Sequence, residues 1–251
     1  MKHVAFIQAR MSSSRLPGKV LERIGSVPMI VFMLRRVARC SRLHQVVVAT
    51  STDSSDDPLS REVVKHGFAC YRGDLFDVLG RFNSAAEEFA ADVIVRLTGD
   101  CPLVDCDLID RAVSILTSDN FQYVSNVDPA TYPNGLDVEV FTRDALSRAH
   151  REARLPRDRE HVTPYIRRHN AQFAQTNFSS VVDLSSMRWT VDHADDLLFV
   201  RALIDLLPPG SDPALADRFE FLRLIEVHGA KLPANRHVRN DYYSKSQDPT
   251  E

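Results

Sequence analysis

Four short apolar runs separated by amphipathic segments constrain this chain more than any single motif does. "HVAFIQA" (3–9), "QVVVAT" (45–50), "FACYR" (68–72) and "DVIVRLTGD" (92–100) have the length of buried strands. Between them lie "PMIVFMLRRVARC" (28–40), "DPLSREVVKHG" (57–67) and "LFDVLGRFNSAAEEFA" (75–90), with apolar residues at helical spacing. A further helical segment, "DLIDRAVSILTSD" (107–119), follows the fourth run. Strands buried on both faces and linked through helices form a parallel sheet with helices on each side. The expected class is therefore α/β, doubly wound, with a mostly parallel sheet. In such sheets ligands gather beyond the carboxyl ends of the strands. The loops 8–19 and 98–105 both follow strands at that edge.

The second half is less regular. "FQYVSNV" (121–127) and "LDVEVFT" (136–142) read as strands, with "YPNG" (132–135) as a turn between them. "RDREHVTPYIRRH" (157–169) reads as a helix, or as one broken at Pro164. "SSMRWTV" (185–191) reads as a short strand before the helices "DHADDLLFVRALIDLL" (192–207) and "PALADRFEFLRLIEVHG" (213–229). The expectation is one domain over residues 1–240 and a frayed polar tail over 241–251.

Bulk properties exclude several function classes. The net charge of -3 argues against a general nucleic-acid binder, which would show a broad basic face. No apolar run reaches the roughly 20 residues of a membrane span. The opening "MKHVAFIQARM" is interrupted too early by Arg10 for a signal peptide. The four cysteines form no CxxC pair and no zinc-spaced cluster, so they are read as reduced thiols in a cytoplasmic protein.

The loop "QARMSSSRLPGK" (8–19) sets three cations, Arg10, Arg15 and Lys19, among three serines and a Pro-Gly pair. A Walker loop is excluded, because Val20 follows Lys19 and no glycine stands five residues before Gly18; a GxGxxG is absent as well. What remains is a loop that wraps a polyphosphate with side-chain cations, hydroxyls and backbone amides. Pro17-Gly18 would fix the bend that aims Lys19. A solvated basic loop is the bland alternative.

Two carboxylates end strands: Asp100 in "LTGDCP" and Asp192 in "WTVDHADD". Mg²⁺ prefers one or two carboxylates together with phosphate oxygens. The residues alone do not bring this pair together. Asp192 has an alternative as the N-cap of the helix that follows and Asp100 as a turn-stabilising residue, and Asp195 reads equally as a further metal contact or a first-turn helix acid.

"QARMSSSRLPGKVL" (8–21) resembles the N-terminal signature of the sugar-acid cytidylyltransferases, the ketodeoxyoctonate and acylneuraminate synthetases among them. "VLGRF" (78–82), "RLTGDCPLVD" (96–105), "YPNGLDVEVF" (132–141), "REHVTPYI" (159–166) and "RWTVDHADDL" (188–197) carry the likeness along nearly the whole chain, toward the spore coat polysaccharide biosynthesis protein F branch. The resemblance implies a nucleotide-diphospho-sugar transferase-like, Rossmann-like fold. It implies a homodimer that transfers CMP from CTP to an acidic sugar and releases pyrophosphate, with Mg²⁺ on Asp100 and Asp192.

On this reading Arg15, Lys19 and Asp100 are catalytic. Gln8, Ala9, Arg10, Ser14 and Arg72 join them around the nucleotide. Arg81, Asn134, Asp137, Glu139, Glu160 and His161 are candidates for the acceptor. Arg81, Asp137, Glu139, Glu160 and His161 also have a plain structural reading: a helix surface, or one face of a half-buried strand. Trp189 is read as core. A phosphonate acceptor or another nucleotide would suit the same residues. A glycosyltransferase would be expected to carry a DxD metal motif, which no central strand ends in. A non-catalytic nucleotide-binding regulator would be expected to lack Lys19 or a metal carboxylate.

Overall fold

β1 (His3–Gln8) is an interior strand of a seven-stranded sheet in a computed structural model that describes residues 1–237. A basic loop leads from it to a small hairpin, β2 (Arg23–Ile24) and β3 (Val27–Pro28), and then to α1 (Met29–Val37). β4 (Gln45–Ser51), α2 (Asp57–Lys65), β5 (Ala69–Gly73), α3 (Val78–Glu88), β6 (Val93–Thr98) and α4 (Cys106–Ser118) complete the regular half. The second half adds β7 (Tyr123–Ser125), β8 (Glu139–Thr142), α5 (Arg143–Glu152), α6 (Pro156–His161) and α7 (Pro164–Arg168). It ends with β9 (Gln175–Asn177), α8 (Ala194–Asp205) and α9 (Arg218–His228).

The sheet order is β5-β4-β1-β6-β8-β7-β9. β5, β4, β1 and β6 are parallel; β8 runs antiparallel to both β6 and β7, and β9 is parallel to β7. From β1 the chain moves outward to β4 and β5, then crosses back to β6 on the other side. The order therefore reverses between β1 and β6, and their carboxyl ends open a crevice.

Side chains alternate across the sheet as the pleat requires. Ala5 and Ile7 of β1 pack with α1, α4, α8 and α9, whereas Val4 and Phe6 pack with α3 and α5. Two apolar layers thus sandwich the strands, and the doubly wound α/β class holds.

Departures from expectation fall in the second half. "SSMRWTV" is not a strand: among the described residues its only ladder contact is one bridge between Asn134 and Arg188. Trp189 is core, fully buried, and Arg188 turns to buried acids. The segment 213–229 is a 3-10 turn followed by α9, divided where Asp217 caps Glu220 N–H at 2.9 Å. The helix over 157–169 does break, between α6 and α7. The polar strand β9 and the helix α5 had no counterpart in the sequence reading. The tail at 241–251 lies outside the described residues. Among those described, no helix is long and apolar enough to cross a membrane.

Candidate active site

The loop after β1 is closed by its own backbone. Met11 C=O accepts from the amides of Ser13 and Gly18, both at 2.9 Å. Gly18 sits at φ +73°, where a side chain would be strained, and the chain then enters a 3-10 turn that begins at Lys19. One buried carboxylate anchors the loop from outside. Asp56 accepts from Met11 N–H at 2.7 Å and from the amide and hydroxyl of Ser51 at the end of β4.

Lys19 is almost fully buried. Its Nζ donates to Asp100 Oδ2 at 3.2 Å, Asp192 Oδ1 at 3.0 Å and Val191 C=O at 2.8 Å. Arg15 pairs with the same Asp192 oxygen. The other oxygen of Asp192 accepts from Arg188 Nη2 at 3.1 Å, and Arg188 is itself held by Asp196 through Nε at 2.7 Å and Nη2 at 2.8 Å. Burial alone would raise the Asp192 pKa, but Lys19 and Arg15 bring it down to about 2. Burial likewise works against the Lys19 charge, and the facing Asp100 and Asp192 outweigh it, so its pKa is raised.

The alternative of Asp192 as a helix N-cap is not what the structure shows. His193 holds that position, and Asp196 Oδ2 accepts from the amides of Asp192 at 2.9 Å and His193 at 3.0 Å. Asp192 is left to face the cations. Asp195 turns away from the cavity to His237, 2.9 Å distant.

Two close backbone approaches shape the floor. Gly99 N–H donates to Gln8 C=O at 2.8 Å, and a Cβ on Gly99 would stand 2.8 Å from the Ala9 Cβ. Gly135, at φ +112°, presses against Trp189 and Thr190, where a Cβ would lie 2.6 Å from Thr190 N. Only glycine fits either place. The "YPNG" turn is thereby held against the segment that delivers Asp192.

The other side of the cavity is built on α3, β6 and the α6–α7 break. Arg81, on α3, is 2% exposed and donates through Nη1 to Asp74 C=O at 2.8 Å. Burial lowers its pKa to about 10, and Arg10 nearby pushes the same way. Arg96 lies within β6 and pairs with the buried Glu139, while its Nη2 reaches Gln8 Oε1 at 3.1 Å. Val162, between the two short helices, takes φ +74°, and Thr163 N–H reaches back to His161 C=O at 2.9 Å. A positive φ at a β-branched residue costs roughly 1–3 kcal/mol. It sets both His161 and Thr163 against the cavity. Burial, then Arg96, lowers the His161 pKa.

These elements enclose a cavity of about 280 Å³. Of the residues expected around the nucleotide, Gln8, Ala9, Arg10, Ser14, Arg15, Lys19 and Asp100 line it. Arg81, Asn134, Asp137, Glu160, His161 and Asp192 do so as well.

Two expectations need correction. Arg72 is outside the cavity: it donates to the carbonyls of Ser51 at 2.8 Å and Asp53 at 3.0 Å and pairs with Asp57 at 2.7 Å, bracing the turn after β4. Glu139 is also outside, 1% exposed, because its face of β8 is turned toward α3 and α5 rather than toward solvent. Residues the sequence reading passed over are Arg96, Arg188 and Thr163. For Arg96 the signal was a cation inside the apolar run "DVIVRLTGD".

Asp100 and Asp192 present oxygens on two sides of one cation, which is the donor set that a divalent ion shared with phosphate requires. Among the described residues no three His, Cys, Asp or Glu side chains form a protein-only metal cage. A metal at this pair would take its remaining ligands from substrate and water.

Residues 4–198 match the cytidylyltransferase family. The spore coat polysaccharide biosynthesis protein SpsF of Bacillus subtilis is 35% identical over 215 residues, 81% of this chain and 87% of that one. A 3-deoxy-manno-octulosonate cytidylyltransferase of Bdellovibrio bacteriovorus is 32% identical over 139 residues, about half of each chain (55% and 53%). Among solved structures, a cytidylyltransferase from Leptospira borgpetersenii matches with a TM-score of 0.86 at 31% identity, over 96% of this chain and 100% of that one.

Proposed function

This chain belongs to the cytidylyltransferase family, and on that premise we propose that it moves CMP from CTP to a hydroxyl of an acidic sugar, releasing pyrophosphate. The acceptor is of the nonulosonate or ketodeoxyoctonate type, destined for a surface glycan; the relatives' names, one a 3-deoxy-manno-octulosonate cytidylyltransferase and one a spore coat polysaccharide protein, support the second acid and the polysaccharide by analogy. The observation that carries the reading is the Lys19 ammonium seated between Asp100 and Asp192, with Arg15 beside it, at the sheet's carboxyl edge.

Attack on the α-phosphorus of CTP builds charge on the departing pyrophosphate. Lys19 and Arg15 supply the positive charge to meet it. In the free protein both are held by carboxylates, so they are aligned before the polyanion arrives. The serine-bearing loop adds hydroxyl and amide donors. The small Ala9 leaves room for a pyrimidine, whose edge the backbone of Gln8–Arg10 can read. Asp100 and Asp192 would hold Mg²⁺, which when bound neutralises phosphate charge and lowers the pKa of a coordinated hydroxyl. Asp100, with 29% of its side chain exposed against 8% for Asp192, is the carboxylate more open to the cavity. Positioning and electrostatics carry such a reaction without a dedicated protein base.

Pyrophosphate release tests the reading. The full-length protein is incubated with Mg²⁺ and each of CTP, UTP, ATP and GTP, against ketodeoxyoctonate, N-acetylneuraminate and neutral hexoses. Release that requires CTP and an acid sugar together is expected. Release with hexoses alone, or equal release with every nucleotide, would refute it.

A further inference from the structure

We propose that Cys40 and Cys106 form a peroxide-reactive pair, which hydroperoxides convert to a disulfide tying the end of α1 to the start of α4. Neither residue lines the cavity described above, and the pair does not depend on the nucleotidyltransferase reading.

All four cysteines are free thiols, but they are not equivalent. Cys40 lies just beyond the end of α1, and Cys106 is the first residue of α4. Their Sγ atoms stand 2.8 Å apart, with the Cys40 thiol donating to Cys106. A disulfide needs about 2.05 Å, so a small movement closes the bond. The junction is also held in register without the sulfurs. Asp110, one turn further along α4, accepts from Ser41 N–H at 2.8 Å, from the Ser41 hydroxyl at 2.6 Å and from Arg42 N–H at 3.0 Å. Donors that adjoin Cys40 thus meet one carboxylate that adjoins Cys106, which fixes how the two segments approach.

Cys106 is the sulfur prepared to attack. It is only half-buried, which leaves it open to a small hydroperoxide. The Cys40 hydrogen bond lowers its pKa against the opposing effect of burial, and the Arg36 guanidinium adds to that bond. The same contact, with burial, raises the pKa of Cys40, which stays a thiol. Arg36 is 3% exposed and donates to the carbonyls of Val104 at 3.0 Å and Ala216 at 2.7 Å. Carbonyls solvate that buried cation without neutralising it, and a thiolate on Cys106 would supply the missing charge. Cys70 and Cys101 are not paired with another sulfur, and burial raises the pKa of both.

With hydrogen peroxide the Cys106 thiolate takes one oxygen and becomes a sulfenic acid, while the O–O bond breaks and hydroxide leaves. The Cys40 sulfur then attacks the sulfenic sulfur. The S–O bond breaks, the S–S bond forms, and the Cys40 proton departs with the hydroxyl as water. The two thiols lose two electrons in all, the peroxide gains them, and two waters result. A thiol reductant reverses the bond by exchange. The bond spans 66 positions of chain and joins the helices that follow the Lys19 loop and the Asp100 turn. Closing a loop of that length constrains the unfolded chain, so a disulfide formed without displacing either helix raises thermal stability.

Thiol mapping on the full-length protein provides the test. The reduced protein, freed of reductant, is treated with hydrogen peroxide, quenched with catalase, alkylated and digested for mass spectrometry. Two of the four thiols should be lost, with Cys40 and Cys106 recovered in one linked pair of peptides. These two should disappear at least about tenfold faster than Cys70 and Cys101. The oxidised protein should melt about 5 °C or more above the reduced one, and dithiothreitol should cancel the gain. Cys106→Ser should keep its other thiols under the same treatment and show no gain in melting temperature. Cys40→Ser should accumulate a sulfenic acid at Cys106, captured by dimedone, which distinguishes the attacking sulfur from the resolving one. The mapping of the unaltered chain stands even if either variant folds poorly. Survival of all four thiols at peroxide levels that oxidise free cysteine overturns the proposal. So does a bond between any other pair or between two copies of the chain, and so does a melting temperature that stays level or falls on oxidation.

Discussion

The two ends of the cavity handle buried charge in opposite ways. At the α8 end, Lys19 and Arg15 interlock with Asp100 and Asp192, and Arg188 with Asp192 and Asp196. Titration there shifts toward the charged forms, with Asp192 at about 2 and Lys19 raised. At the α3 end, burial and neighbouring cations disfavour charge, taking Arg81 to about 10 and lowering His161. At the first end Lys19, Arg15 and Arg188 are all held by carboxylates, so on the proposed function its cations would exchange one set of anions for another. The second holds Arg10 near Arg81, and Arg81 Nε there lacks a hydrogen-bond partner, as Arg188 Nη1 does at the first end. On the proposed function, the difference would separate a place for chemistry from a place for recognition.

The largest effect should come from the first end. Lys19→Ala is expected to lower kcat by about a hundred- to a thousand-fold, as loss of a charge-stabilising donor does elsewhere. Steady-state pyrophosphate release would measure it, and near-normal turnover would erase the distinction between the ends. Asp100→Asn should cost about a hundredfold and weaken the dependence of rate on Mg²⁺, read from a magnesium titration.

Stability offers a finer probe. Breaking the buried Arg96–Glu139 pair in Glu139→Ala should destabilise the fold by about 3 kcal/mol in urea titration, because a buried guanidinium loses its counter-ion.

The two ends should also differ in their response to acid. Asp192 has a depressed folded pKa, so its contribution of about 2 kcal/mol is present above pH 4 and fades as pH falls toward 2. His161 is held neutral by the fold, so the folded state takes up fewer protons than the unfolded one, and stability falls as pH drops through about 6.5. Melting curves of the metal-free protein should show His161→Gln flattening the loss between pH 7 and 5. Asp192→Asn should alter only the more acidic limb. The smallest effect is expected from Arg72→Ala: a loss of about 1 kcal/mol in stability and less than threefold in turnover, since the residue braces a turn outside the cavity.

The first end was largely legible in the sequence and the second was not. Arg15, Lys19 and Asp100 lie in two loops that follow plainly apolar strands, so their shared edge followed from the α/β alternation. Asp192 was visible, but its partners Arg188 and Asp196 were not. Their pairing depends on a chain that leaves the bridge to Asn134 and turns into α8, which no periodicity encodes. "SSMRWTV" has strand composition, yet its backbone bonds reach single residues of two other segments, Asn134 and Asp100, instead of forming a ladder. Glu139 shows how alternation misleads. The pattern of "LDVEVF" is that of a strand, but a strand in the middle of a covered sheet has two interior faces, so its polar residue is buried as well. Arg96 was the converse: a polar residue in an apolar run reads as a flaw until its partner across the sheet is known.

Asp56 has a kinetic meaning beyond its place in the fold. A loop fastened at Met11 has already surrendered most of its freedom during folding, so meeting a polyanion asks little further ordering of it. Encounter should then be set by diffusion and attraction rather than by a search through loop shapes.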